Sequence, residues 1–194
     1  MGNEFEYYRV HRKNDNTIPL LDSDEDCPIY LSQKEPIENP KLMLFQFGDP
    51  VPKNPRMADY HSSPHSVISK KIYDVLSPLD IYGIQLLPAR IRGNDDEEFS
   101  NYWAIHIYNK IKCVDAALSD CVIKTIRLFK VKKLVFDKQI LGSIPLNKRL
   151  IFRLGEDSSY QIFHKSIVDS IMSVNPEGIK FTNIEDWTDG SFFN

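Results

Sequence analysis

The 194-residue sequence is 42% hydrophobic and 26% charged with a formal charge of −3, which suits a soluble globular chain able to bury a core as one large domain or two small ones. So small a net charge argues against a molecule built as a whole to hold polyanions, and three cysteines without C-x-x-C spacing argue against a disulfide framework or a zinc site. No stretch approaches the roughly 18 apolar residues of a membrane span, and the first residues lack a basic segment followed by an apolar one, so a cytoplasmic protein is expected.

Residues 3–60 are rich in proline: Pro19, Pro28, Pro36, Pro40, Pro50, Pro52 and Pro55 remove backbone donors and block helix. This part reads as loops with short strands at Glu6 to Val10 and Leu42 to Phe47, and residues 1–58 are expected as a strand-and-loop region packed on a body of residues 59–194. Ile68, Ile72, Val75, Leu76 and Leu79 then fall on one helical face. Ser66 or Ser69 is placed to accept from an early helical N–H, Pro78 stops the helix, and Gly83 suits a turn with positive φ before a strand at Ile84 to Ile91. After the acidic turn 93–100, strict alternation over Tyr102–Tyr108 predicts the second strand of a long hairpin. Shorter strands are expected at Lys112–Asp115, Ile126–Val131, Leu134–Phe136 and Leu150–Leu154.

The first helix–turn–glycine–strand segment then recurs 95 residues on. Lys70/Lys165, Ile72/Ile167, Asp74/Asp169, Gly83/Gly178 and Ile84/Ile179 are identical, and Ile68/Phe163, Leu76/Ile171, Leu79/Val174 and Leu86/Phe181 are all large and apolar. What repeats is a packing unit, with no nucleophile, base or ligand set in it. Helices in two places among many strands, without regular βαβ alternation, give an α+β fold of mostly antiparallel sheets.

Asp59, His61, Ser62, Ser63 and His65 form the one grouping with the residue types of nucleophilic catalysis. A polar loop before a helix explains the same residues, since catalytic triads are assembled from distant segments. The glycines form neither a G-x-x-x-x-G-K nor a G-x-G-x-x-G pattern, so no nucleotide site of those kinds is expected, and no cofactor or metal. Two acidic clusters stand out: Asp22, Asp24, Glu25 and Asp26, and Asp95, Asp96, Glu97 and Glu98. Adjacent carboxylates in one solvated turn lack the contrasting environments that acid–base chemistry needs, but they make a landing surface for a basic partner. Lys124, Arg127, Lys130, Lys132, Lys133 and Lys138 face only Asp137 within 124–138. Strand alternation would divide these cations between two faces, where a nucleic-acid binder concentrates them on one.

Taken in order, Asp59–Tyr60, Val67-Ile68-Ser69, Gly83-Ile84-Gln85-Leu86-Leu87-Pro88, Tyr102–Trp103, Val114-Asp115 with Ser119, Lys133-Leu134-Val135-Phe136, Ile151-Phe152-Arg153-Leu154 and Gly178-Ile179-Lys180-Phe181 resemble the eleventh numbered immunity family of bacterial polymorphic-toxin systems. The resemblance spans about residues 59–186, its weight lying in order and spacing. Lys70 stands where an acid is expected and His164 where serine is usual. The family implies a cytoplasmic, non-enzymatic protein that binds a cognate toxin delivered by type VI or contact-dependent secretion and occludes its active site. The expected partner is that toxin, with no nucleic acid or membrane. A nuclease toxin would bring a basic groove to the two acidic clusters. Asp115 and Ser119, the polar residues of the motif, have a structural reading as turn formers. The alternatives are a nucleic-acid-binding or regulatory module using 124–138 and a small hydrolase on Asp59, His61 and His65.

Overall fold

The computed structural model describes residues 4–28, 34–94, 97–125 and 127–192. In chain order the elements are β1 (Tyr7–Arg12), β2 (Leu21–Ser23), β3 (Met43–Phe47), β4 (Tyr60–His61), β5 (Val67–Ser69), α1 (Lys70–Leu76), β6 (Ile84–Arg92), β7 (Glu98–Ile107), β8 (Lys110–Ile111), β9 (Asp120–Lys124), β10 (Arg127–Lys133), α2 (Lys138–Gly142), β11 (Ile151–Leu154), β12 (Gln161–His164), α3 (Lys165–Met172) and β13 (Ile179–Asn183). The fold is α+β, with sheets ordered β13-β1-β12-β11-β8 and β2-β3-β6-β7-β5-β4 and a separate β9–β10 ribbon. Pairing is antiparallel throughout these sheets except at β3/β6 and β8/β11.

The duplicated segment folds the same way twice. In each copy a strand, a helix and a second strand form a crossover whose two strands lie on either side of a third, antiparallel one. In the first copy β5 and β6 flank β7: Trp103 faces Ile68 and Pro88, and Ala104 faces Val67 and Leu87. In the second, β12 and β13 flank β1: Tyr8 faces Phe163 and Asn183, and Arg9 faces Ile162 and Thr182. Every flanking residue is displaced by 95, and so is the middle strand, because Tyr8 and Trp103 are themselves 95 apart. The duplication therefore includes β1 and β7, with Tyr7/Tyr102 and His11/His106 identical. The middle strands are exchanged: β1 of the first copy completes the sheet of the second, and β7 of the second completes the sheet of the first.

Packing follows from this exchange. Val10 of β1, Ile105 and Ile107 of β7, Ile72 and Leu76 of α1 and Ile167, Val168 and Ile171 of α3 share one buried cluster, so each sheet turns one face to the helix pair. The other face of the β1 sheet is covered by Phe136, Leu141 and Trp187, and that of the β7 sheet by Ile37 from the N-terminal region. With both faces covered, β1 buries Tyr7, Arg9, Val10 and His11, as a middle strand must. The helices also match on their solvent faces, where Lys70–Asp74 (2.6 Å) and Lys165–Asp169 (2.8 Å) form equivalent i,i+4 ion pairs, each contributing a few tenths of a kcal/mol.

Several expectations change in detail. Ser69 occupies the cap position of α1, but its hydroxyl donates to Asp59 Oδ1 (2.5 Å) and caps nothing. Ser66 Oγ instead hydrogen-bonds Tyr60 and Gln161. His164 does cap its helix, Nδ1 accepting from Ser166 N at 3.2 Å. The strands expected at Lys112–Asp115 and Leu134–Phe136 reduce to one bridge between Val114 and Phe136, since the chain turns at Asp115. A third helix, α2, forms because Asp137 Oδ1 accepts from Gln139 N and Ile140 N. In β10 a bulge at Lys130, whose φ is +52°, breaks the alternation. Leu128 and Val131 both turn inward, and Arg127, Phe129, Lys130, Lys132 and Lys133 are all exposed.

Gly83 (φ +79°) and Gly178 (φ +77°) end the two crossovers in the left-handed region. A Cβ there would stand 2.2 Å from Asn109 Cβ and 2.6 Å from Ala58 Cβ respectively, adding a clash to the left-handed strain of about 1–2 kcal/mol. Gly83→Ala and Gly178→Ala should each lower unfolding stability by about 3 kcal/mol in urea titration; a loss below about 0.5 kcal/mol at either site would contradict the equivalence of the two turns.

Candidate partner-binding surface

The two acidic clusters, separated by some 70 residues of chain, meet at one end of the β7 sheet. Asp22 pairs with Gln46, Gln46 with Arg92, and Arg92 with Glu98, a single row across β2, β3, β6 and β7. Residues opposite one another in a ladder share a face, and three strand spacings put Asp22 and Glu98 about 14 Å apart. This face is opposite the one where Leu21, Phe45 and Ile91 are buried. Asp22, Glu25, Asp26, Glu97 and Glu98 are exposed, with Asp24 half-buried; Asp95 and Asp96 lie outside the described residues.

Arg92 lies in the row, and Arg90 stands two residues before it on β6. Arg92 pairs with Asp24 at 2.8 Å and donates to Gln46 Oε1 at 2.7 Å, and Arg90 reaches Glu98 at 3.4 Å. Asp24 is further tied to its own turn, accepting from Asp26 N at 3.2 Å. Of the six described carboxylates, Asp24 and Glu98 thus pair with an arginine. Exposed pairs such as these contribute little to stability.

The grouping around His61 is structural. Asp59 ties β4 to the second glycine turn: its Oδ2 accepts from Glu177 N (2.8 Å) and Lys71 Nζ (3.4 Å), and its Oδ1 from Ser69. The His61 ring is buried, with Nδ1 3.3 Å from Pro19 O and its edge against Tyr102. His65 packs edge-on to Phe45. Asp59 hydrogen-bonds neither histidine, so the residues named for a hydrolase are not assembled as one. Among the described residues no three of His, Cys, Asp and Glu converge as a metal site. Asp115 and Ser119 turn the chain: Asp115 Oδ1 accepts from Ala117 N (2.9 Å) and Leu118 N (3.0 Å), and Ser119 Oγ from Val135 N (2.9 Å).

The model of the Immunity protein family (Imm11) matches residues 9–186, from within β1 to just beyond β13, and the chain belongs to that family. Its role is toxin immunity, exercised by binding a cognate toxin. No curated protein matches the chain. No helix among the described residues is long and apolar enough to cross a membrane.

Buried His11 and His61 and half-buried His65 make stability depend on pH. Desolvation pushes His11, His61 and His65 down to about 4 from the usual 6.5, the cations Lys180, Arg12 and Arg153 respectively adding to the shift. Between those limits the unfolded chain binds protons that the folded one refuses. The stability is therefore complete above about pH 6.5 and is lost as the pH falls toward 4. His61→Leu should flatten that decline by up to about 1.4 kcal/mol per pH unit, measured by urea unfolding from pH 7 to 4; an unchanged slope would show that His61 titrates normally.

Proposed function

We propose that this protein is a cytoplasmic, non-catalytic inhibitor that covers the active site of a toxin delivered by a neighbouring cell, a toxin whose substrate groove is basic, as a nuclease's is. The observation that carries this reading is the row Asp22–Gln46–Arg92–Glu98, which joins two acidic clusters distant in sequence. Asp22, Asp24, Glu25, Asp26, Asp95, Asp96, Glu97 and Glu98 are its proposed contacts. An array of carboxylates imitates the charge of a phosphate backbone, speeds encounter with a basic groove and disfavours acidic partners. An interface of ordinary size, about 1,600 Å² in total, would extend beyond this row. Reversing charge at Asp95, Asp96, Glu97 and Glu98 should slow association with the toxin at least tenfold at low salt, with the difference shrinking as salt rises. Association kinetics that do not change would remove the row from the interface.

One observation favours a second reading. The β9–β10 ribbon exposes Lys124, Arg127, Lys130, Lys132 and Lys133 beside Phe129, and its inner side is held by Asp157 and Asp189 through the backbone N–H groups of Leu128 (3.1 Å) and Val131 (2.9 Å). Cations with an exposed aromatic suit a nucleic-acid-binding module. That reading predicts single-stranded DNA or RNA binding whose affinity falls steeply with salt and is weakened several-fold by Phe129→Ala; no binding at 50 mM salt would dismiss it.

A further inference from the structure

The internal symmetry points to a second recognition surface. In the β7 sheet, β6 continues past Pro88 to Arg92 and pairs with the start of β7. In the β1 sheet the equivalent strand, β13, ends at Asn183, which corresponds to Pro88, and turns away with Asn183 Oδ1 accepting from Glu185 N at 2.9 Å. Where the first copy has a hairpin, the second has a cleft of about 850 Å³ between the start of β1, the turn after β13, α2 and the Asp115–Ser119 turn.

Leu141 and Ile184, both buried, lie in its floor. Its lining carries the carboxylates of Glu4, Glu6, Asp115, Asp137 and Glu185 against a single cation, Lys138. The fold fixes three of these acids: Glu4 pairs with buried Arg149 at 2.8 Å, Asp137 caps α2, and Asp115 holds its turn. Glu185 is exposed. At the rim stands Leu118, 60% exposed and the most exposed large hydrophobic side chain among the described residues. The hydrogen bonds of Asp115 and Ser119 hold it outward.

We infer that this cleft seats a lysine- or arginine-bearing loop of the toxin, with Leu118 packed against apolar toxin surface beside that loop. A long basic side chain matches the site, setting its cation among the carboxylates with its alkyl stem beside half-buried Phe5. Leu118, on a turn held by hydrogen bonds, offers exposed apolar surface at the rim for the toxin to cover. The inference rests on the toxin-binding reading and adds to the acidic row a contact of different character, partly apolar and therefore less sensitive to salt.

The test uses the full chain and the purified product of the reading frame neighbouring its gene, with affinity measured by calorimetry. Glu185→Arg and Leu118→Ala should each weaken binding at least tenfold while circular dichroism and the thermal midpoint stay as in the parent protein. The Leu118→Ala loss should persist at high salt. Binding within tenfold of the parent at either position overturns the cleft as a contact and leaves toxin binding itself intact. If the parent chain does not bind that product, the toxin-binding reading fails and the inference falls with it.

Discussion

The exchange of β1 and β7 is the constraint on which the rest of the structure depends. Each three-stranded unit takes its middle strand from the other copy, so neither sheet is complete until both copies are present. The two sheets and the helix pair between them must therefore form together, which is why one buried cluster contains residues from both. The exchange also explains the unusual content of β1. Arg9 is buried because a middle strand has no solvent face, and its guanidinium is stacked 3.5 Å from the Tyr160 ring centroid and 4.1 Å from that of Trp187. Desolvation lowers its pKa, and the two rings compensate for lost water through their quadrupoles. Arg149 does the same for the approach to β1, donating to Tyr7 Oη (2.6 Å) and to the carbonyl of Glu4 (2.8 Å).

On such a frame the places where the copies differ are the places free to specialise. The shared positions are apolar, turn-forming or paired across a helix turn, and substitution there costs stability. The equivalent ends of the two sheets have diverged instead. One carries a long hairpin beside the β2–β3 edge and the acidic row; the other stops short and leaves an acidic cleft with an apolar rim. Both ends present carboxylates, some of them held by hydrogen bonds to backbone or arginine.

Much of the frame was legible in the sequence because burial imposes periodicity. Ile72 and Leu76 with their counterparts 95 residues on announced both helices, though Ile68 and Phe163 lie in the strands before them, and Gly83 and Gly178 announced both turns. The identities Tyr7/Tyr102 and His11/His106 carried the same signal for the exchanged strands, but they precede a proline-rich stretch in which the copies share little else. The α2 helix is a single turn or so, announced only by Asp137 as its cap. The bulge at Lys130 left no mark, because a lysine at positive φ has no sequence signature. The acidic clusters were visible as runs of charge, but their meeting depends on β3 running parallel to β6, a long-range pairing that local pattern does not encode. The cleft was invisible for the same reason, being assembled from four separate stretches of chain.

Hydrogen–deuterium exchange of the protein alone and bound to its toxin tests this division between frame and recognition surface most directly. The account predicts new protection confined to residues 22–26, 93–99, 115–119 and 183–186, with the amides of α1, α3 and the middle strands β1 and β7 already slow in the free protein and unchanged on binding. New protection concentrated on the solvent faces of α1 and α3, or on the β9–β10 ribbon, with none at the two sheet ends, would contradict it.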